Sequence, residues 1–402
     1  MDMFCYQCEQ TARGTGCTKV GVCGKDPETA ALQDLLIHAV QGLSVVAHKA
    51  RELGARDEAI DRFTMEALFT TVTNVNFDAE RLASMLNALD PLYKRAEALY
   101  LAACEKAGKE AEELRCPADW DLSGDAQALA AQAQALSIKK RLTDRGPDLT
   151  GLEELVLYGL KGMAAYADHA MILGLEDEAV YAFTHEALSF LLRRPSADEL
   201  LGMALRVGEM NLKVMELLDR GHTDRYGHPV PTAVPVTAKK GKAILVSGHD
   251  LRDLEVLLEQ TAGTGINVYT HGEMLPAHGY PELKKHPHLV GNYGGAWQDQ
   301  AKEFEAFPGA ILMTTNCIQN PRETYKGRIF TAGLVAWPGV THLAGRDFSK
   351  VIAAAQAAPG FAADEPEQTI TVGFGRNAVL GVADKVVEAV KGGAIKHFFL
   401  IG

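Results

Sequence analysis

From Pro27 to about Leu218, apolar residues recur three and four positions apart, most clearly at Leu32, Leu35, Leu36, Ala39, Val40, Leu43, Val46 and Ala47. At 3.6 residues per turn this spacing gathers them into one stripe, which predicts amphipathic helices with a buried face. Strand patterns are scarce in this half. Gly42, Ala47, Leu53, Gly54, Asp57, Glu58, Ala59, Phe63, Thr64, Glu66, Ala67 and Leu68 recur unchanged 120 residues later, from Gly162 to Leu188. A gap-free offset predicts two similar helical bundles, each a long helix, a break at Gly54 or Gly174, and a second helix. The segment from Lys109 to Pro147 is rich in Ala, Gln and charge. Gly221 to Lys240 holds three prolines with little periodicity, which places a domain boundary near residue 240.

The pattern then changes. Ala243–Ser247, Ile266–Tyr269, Ala310–Thr314 and Arg328–Thr331 are short apolar runs separated by helical or Gly-rich stretches, the texture of a Rossmann-like α/β domain with a parallel sheet. Thr369–Val372, a helical stretch from Arg376 to Val390, and His397–Ile401 read as a βαβ unit that begins a further α/β domain. The predicted organisation is a helical domain over 1–240, an α/β domain over 241–367, and the first unit of a third over 368–402.

The chain has 402 residues, 47% of them hydrophobic, enough to bury more than one core. A formal charge of -12 without a basic run argues against nucleic acid and for a small-molecule or protein partner. No apolar run reaches the length of a membrane span. Met1-Asp-Met-Phe-Cys5 lacks a basic and apolar leader, so a cytoplasmic location is expected. Seven cysteines are too few for a disulfide framework in so long a chain, and as thiols they are open to metals.

Four of the seven, Cys5, Cys8, Cys17 and Cys23, follow the spacing C-x2-C-x8-C-x5-C. Four thiolates this close can converge on one inorganic centre. Zinc remains open, although zinc sites usually pair two short knuckles and only Cys5 and Cys8 make one. Gly14, Gly16, Gly21 and Gly24 would let the backbone wrap closely around such a centre.

Three more metal-competent side chains follow expected strands: His249 in Ser247-Gly-His-Asp250, Glu273 in Thr270-His-Gly-Glu273, and Cys317 in Thr314-Thr-Asn-Cys317. In open α/β sheets, ligands bind beyond the carboxyl ends of strands. Singly, a loop histidine or glutamate is usually a capping residue and a lone cysteine packs as a small hydrophobe. Together they offer nitrogen, oxygen and sulfur donors, suited to iron carrying sulfide and oxygen ligands with an open position.

Met3-Phe-Cys-Tyr-Gln-Cys-Glu-Gln-Thr11, Gly16-Cys-Thr18 and Gly21-Val-Cys-Gly24 closely resemble the start of the hybrid-cluster (prismane, or hydroxylamine reductase) family, and the resemblance runs over essentially the whole chain. It implies a 4Fe-4S cluster on Cys5, Cys8, Cys17 and Cys23. Val246–Asp250, Tyr269–Pro276 and Thr315–Gln319 resemble the segments that supply the first ligands of a hybrid 4Fe-2O-2S cluster, which maps those ligands to His249, Glu273 and Cys317. The implied activity is reduction of hydroxylamine to ammonia and water, or of nitric oxide to nitrous oxide, with electrons from a donor protein. The family continues for roughly a third more chain, with further cysteines, a glutamate and a lysine. The hybrid ligand set is therefore expected to be incomplete here and the chain inactive or nearly so alone. The alternative is an electron-carrier module without a second cluster.

Weaker signals are Gly373-Phe-Gly-Arg-Asn-Ala378, a G-x-G-x-x-A turn that could cradle a dinucleotide but reads as a tight βα turn, and Cys104 and Cys116, read as packing or free thiols. His271, His278, His286 and His288 read as solvated loop residues, His271 with the option of orienting Glu273 or moving protons.

Overall fold

The computed structural model describes residues 3–400 apart from 115–121 and 123; Cys116 lies outside the described residues. Among the described residues, eight α-helices fill the first part: α1 (Pro27–Glu52), α2 (Glu58–Thr70), α3 (Ala79–Ala107), α4 (Ala126–Ala133), α5 (Ile138–Arg145), α6 (Pro147–Ile172), α7 (Glu178–Leu191) and α8 (Ala197–Tyr226). The repeat is visible residue by residue. α1 and α6 start 120 positions apart on prolines, which suit the first turn of a helix. Each long helix ends before a left-handed glycine, Gly54 at φ 79° and Gly174 at φ 84°. Each second helix is then capped by an aspartate, Asp57 or Asp177, that accepts a backbone N–H two residues on.

The two copies do not form separate bundles. α1 packs along α3 and α7, and α2 along α6, so both copies bury their stripes in one shared core. Leu32, Leu35, Leu36, Leu43, Leu68, Leu160 and Leu188 are fully buried there. α1 is long and apolar enough to cross a membrane, contrary to the expectation that no segment was; its apolar residues are spent on this core. The connector from Lys109 to Pro147 carries α4 and α5 rather than loop alone.

The chain divides into two compact units, residues 1–219 with 313–345, and residues 220–312 with 346–402. The division differs from the boundaries near 240 and 367. Residues 313–345 join the helices because Ile318 N–H bonds to Asn74 O (3.2 Å), Phe77 N–H to Ala336 O (3.0 Å) and Asn320 N–H to Cys23 O (3.2 Å). Sequence texture carries no trace of such distant backbone pairs.

In the second unit, β2 (Lys242–Ser247), β3 (Ile266–His271) and β4 (Leu289–Asn292) are parallel, in the order β4-β3-β2 followed by β5 (Ala310–Met313). β2 from Ala243 to Val246 and β5 throughout are apolar and buried, as a sheet covered on both faces requires. In the first unit, β6 (Ile329–Thr331) and β7 (Thr341–His342) are parallel, and Ala332 N–H bonds to Met313 O at the end of β5.

The expected third-domain βαβ unit is not formed. β8 (Thr369–Val372) pairs antiparallel with β1 (Thr232–Pro235), a strand the proline-rich connector concealed. The helical stretch after it breaks into Arg376–Leu380 and Ala383–Lys391, and residues 397–400 are not a strand.

Candidate metal centres

The cysteine loop folds back on itself. Cys5 and Cys17 exchange both backbone hydrogen bonds (3.0 and 2.8 Å), an antiparallel bridge that brings two of the four thiols side by side. Thr11 N–H bonds to Cys8 O (3.1 Å), and the Thr11 hydroxyl to Cys5 O (3.0 Å) and near Cys17 Sγ (3.7 Å). Ala12 N–H points at Cys17 Sγ (3.4 Å).

The glycines earn their places sterically. A Cβ on Gly16 would sit 2.6 Å from the Phe4 ring; one on Gly21 would meet Cys23 Sγ at 3.0 Å. One on Gly24, at φ 98°, would sit 2.8 Å from Trp337. A side chain at Gly16 or Gly24 would force its neighbours to shift, and one at Gly21 would crowd Cys23 and Lys25.

Burial acts on the Cys17 thiol to raise its pKa, but the N–H groups of Ala12 and Val22, the Thr11 hydroxyl and the Lys25 charge outweigh it, and the pKa falls. Burial wins at Cys23, whose pKa rises; Cys5 and Cys8 are close enough to add to that rise by repulsion between thiolates. Lys25 is 3% exposed, with its ammonium 2.6 Å from Gln33 Oε1. A buried cation beside this group of thiols suits a centre that draws net negative charge onto them. All four thiols are free of disulfides. The donor set and the N–H groups aimed at sulfur fit an iron–sulfur cluster.

His249 and Glu273 come together inside the second unit. β2 ends at Ser247, Gly248 turns at φ 112°, and Asp250 caps the helix Leu251–Thr261 by accepting from Arg252 N (2.7 Å) and Asp253 N (3.1 Å). His249 is thereby fixed between a strand end and a helix cap. Its Nε2 lies 2.7 Å from Glu273 Oε2, on a short 3-10 stretch after β3 that starts at Gly272, φ 56°. An imidazole and a carboxylate, the latter 61% exposed, meet there as a ready pair of metal donors.

Cys317 belongs to the first unit, four residues past β5, half-buried, at φ 80°. A non-glycine residue in that region is costly and marks a site held by its surroundings. The surroundings are Asn74, itself at φ 59°, which accepts from Ile318 N and donates through Nδ2 to Ile318 O (2.8 Å). Asn74 and Asn320, which link Cys317 to the helical unit and to Cys23, were not visible as site residues in the sequence. An asparagine in a helix-breaking Thr-Asn-Val-Asn run was the only signal.

The histidine cluster is not a solvated loop. His271 is buried, bonded to Ser247 Oγ (3.1 Å) and Glu303 (2.9 Å) rather than to Glu273. His278 is buried against Thr270 Oγ1 (2.9 Å). The Gly373–Ala378 turn has a structural origin: a Cβ on Gly373, at φ 92°, would lie 2.0 Å from Val230 O, and Gly375 packs on Pro229. The strand before it is antiparallel and the helix after it has five residues, so the dinucleotide reading falls. Cys104 packs in the helical core.

A thiolate-lined loop with hydrogen bonds to sulfur, on a helical core and followed by a parallel sheet with metal donors at its strand ends, defines an iron–sulfur redox protein. Residues 3–402 match the model of the Prismane/CO dehydrogenase family, and the chain belongs to that family, by which it is an oxidoreductase. It is 56% identical over 411 residues to a hydroxylamine reductase of Geobacter sulfurreducens and 58% identical over 401 to one of Rhodospirillum rubrum; in each case 100% of this chain matches 73% of the relative. Among solved structures it is similar to a nickel-free carbon monoxide dehydrogenase from Thermococcus sp. AM4 (TM-score 0.40, 15% identity), covering 98% of this chain and 62% of that one. The chain thus spans about three fifths of that structure's length.

Proposed function

We propose that Cys5, Cys8, Cys17 and Cys23 hold a 4Fe-4S cluster, and that His249, Glu273 and Cys317 are ligands of a hybrid Fe-S-O cluster at which hydroxylamine is reduced to ammonia and water, or nitric oxide to nitrous oxide. The observation that carries this is the cysteine loop, whose backbone and threonine donors face the sulfurs while Lys25 stands buried beside them. The names of the relatives support the substrate.

The hybrid cluster would supply an iron with an open position, on which charge developing at nitrogen or oxygen is stabilised. This chain's residues do the rest. Cys17 and Cys23 tune the electron entry point through their hydrogen bonds and burial. Asn320 N–H, bonded to Cys23 O, leads within three residues to Cys317 and gives a short bonded path between the two ligand loops. His249 and Glu273 are held as donors by the Asp250 cap and Gly272. Hydroxylamine takes up electrons and protons in equal number, so proton delivery is part of the task.

The experiment is iron and acid-labile sulfide per chain with EPR, on protein purified without oxygen, compared with Cys17→Ser and Cys317→Ser. More than about four irons, with the excess lost in Cys317→Ser, supports both clusters. About four irons, lost only in Cys17→Ser, leaves an electron-carrier module. Zinc without sulfide refutes both readings.

A further inference from the structure

The first unit contains a cavity of about 250 Å³ that the reading above does not use. Gln7, between Cys5 and Cys8, lines it, so the cavity abuts the cysteine loop. Lys140, Asp144 and Arg194 also line it and are exposed, so it reaches solvent; Glu153, Glu154 and Lys161 line it and are buried.

Most of these charges are matched. Arg141 bonds to Glu154 (2.5 Å) and Arg145 to Glu153 (2.8 Å). Asp34, on α1, forms no hydrogen bond or ion pair among the described residues, and the ammonium of Lys161, a residue 6% exposed, donates to Thr71 O at 3.4 Å and lies over the Tyr158 ring. A carboxylate facing a cavity without a hydrogen-bond donor is poorly stabilised as an anion. Burial pushes the Asp34 carboxyl up to about 7, against the pull of Arg141, Lys161 and Lys25 and with the help of Glu154. Burial brings Lys161 down to about 8, opposed by Glu154 and Asp34. Lys161 also feels the charge of Cys5, so one buried ammonium responds to both the Asp34 carboxylate and the cysteine loop.

On the reading that Cys5, Cys8, Cys17 and Cys23 hold an iron–sulfur cluster, we propose that this cavity is the cluster's proton port. Each electron the cluster accepts from a one-electron donor protein is matched by one proton drawn from solvent onto Asp34, with Lys161 transmitting the field between them. The donor is oxidised, the cluster reduced, and an O–H bond forms on the Asp34 carboxylate; reoxidation returns the proton to the water of the cavity.

The sign follows from charge. Reduction adds negative charge beside Lys161, which weakens that ammonium's pull on the Asp34 anion and favours the protonated carboxyl. Below about pH 6 Asp34 is protonated in both redox states and the potential is flat. Above that, until the reduced form also releases the proton, the potential falls by up to about 59 mV per pH unit. Of the other groups facing Asp34, Arg141 has its pKa raised by Glu154 and Asp34 against its burial, and burial lowers the pKa of His38, which moves both further from this window. Lys161 is the one competing group, with Lys25, Lys140, Asp144, Glu153 and Glu154 completing the surround.

The test is an EPR-monitored redox titration of the N-terminal cluster between pH 6 and 9, in the full chain loaded without oxygen, alongside Asp34→Asn and Asp34→Glu. Iron and sulfide are measured on each sample. The expected result is a sloped potential in the native chain, a flat one in Asp34→Asn, and a slope restored in Asp34→Glu; reduced-minus-oxidised infrared spectra gain a protonated-carboxyl band that Asp34→Asn lacks. A loaded native chain with a pH-independent potential overturns the port while leaving the cluster standing. A slope that survives in Asp34→Asn moves the proton to Lys161 and overturns the assignment to Asp34. Absence of iron and sulfide from the native chain overturns the port together with the cluster reading beneath it.

Discussion

Asn74 is the residue through which the helical unit dictates the backbone at Cys317, and its replacement gives a graded test of that claim. Its Nδ2 donates to Ile318 O at 2.8 Å, its carbonyl accepts from Ile318 N, it is 3% exposed, and its φ is 59°. Asn74→Ala deletes the donor and leaves a buried carbonyl unpaired, a loss of about 1–3 kcal/mol. It also places a Cβ residue without a local side-chain hydrogen bond in the left-handed region, at about 1 kcal/mol more. The expected loss is about 2–4 kcal/mol. Asn74→Gly loses the same hydrogen bond but escapes the left-handed penalty, at the cost of about 0.4–1 kcal/mol in unfolded-state entropy. Glycine should therefore be no worse than alanine and milder by up to about 0.6 kcal/mol. Urea unfolding at fixed pH measures both. An alanine variant within about 0.5 kcal/mol of the native chain, or a glycine variant clearly worse than alanine, would mean that Asn74 does not hold this loop.

Three further outcomes are expected. His278 is buried, which lowers its pKa to about 4 from an unfolded value of 6.5; the unfolded chain then binds the extra proton, so stability is full above pH 6.5 and falls as pH drops toward 4. Between pH 7.5 and 5 this group removes about 2 kcal/mol, and His278→Gln should flatten that part of a stability-versus-pH curve. Gly24→Ala forces a Cβ to 2.8 Å from the Trp337 ring at φ 98° and should lower both the melting temperature and the iron retained per chain. Thr11→Val removes the hydroxyl beside Cys17 Sγ and should shift the N-terminal cluster's potential downward without loss of iron; an unchanged or raised potential would show that the hydroxyl does not bond to sulfur.

What the sequence made legible was whatever is carried by local spacing. The helical repeat could be read because each copy repeats its own stripe, glycine break and aspartate cap, all within 30 or so residues. The cysteine loop could be read because its thiols are close along the chain. The concealed features are all non-local. β1 hides between prolines because its partner, β8, lies more than a hundred residues away. The packing of α1 on α7 and α2 on α6 converts two expected bundles into one core, and each stripe would look the same in either arrangement. His271 and His278 looked like loop residues because burial by neighbours leaves no mark on a run of mixed polar residues.

The placement of residues 313–345 in the helical unit bears on how the chemistry is organised. Cys23 and Cys317 are almost three hundred positions apart, yet Asn320 N–H bonds to Cys23 O and Asn74 clamps Ile318, so the same unit fixes the backbone of both. A ligand carried on a strand-end loop alone would inherit that loop's mobility. Here the strained φ at Cys317 is maintained by two hydrogen bonds to a buried asparagine, which is what a position that must hold its thiolate still requires. If this is the purpose of the arrangement, loosening Asn74 should raise the spread of EPR signals assigned to a Cys317-bound centre before it lowers the amount of iron. Loss of iron with no broadening would instead make Cys317 a packing residue whose strain has another origin.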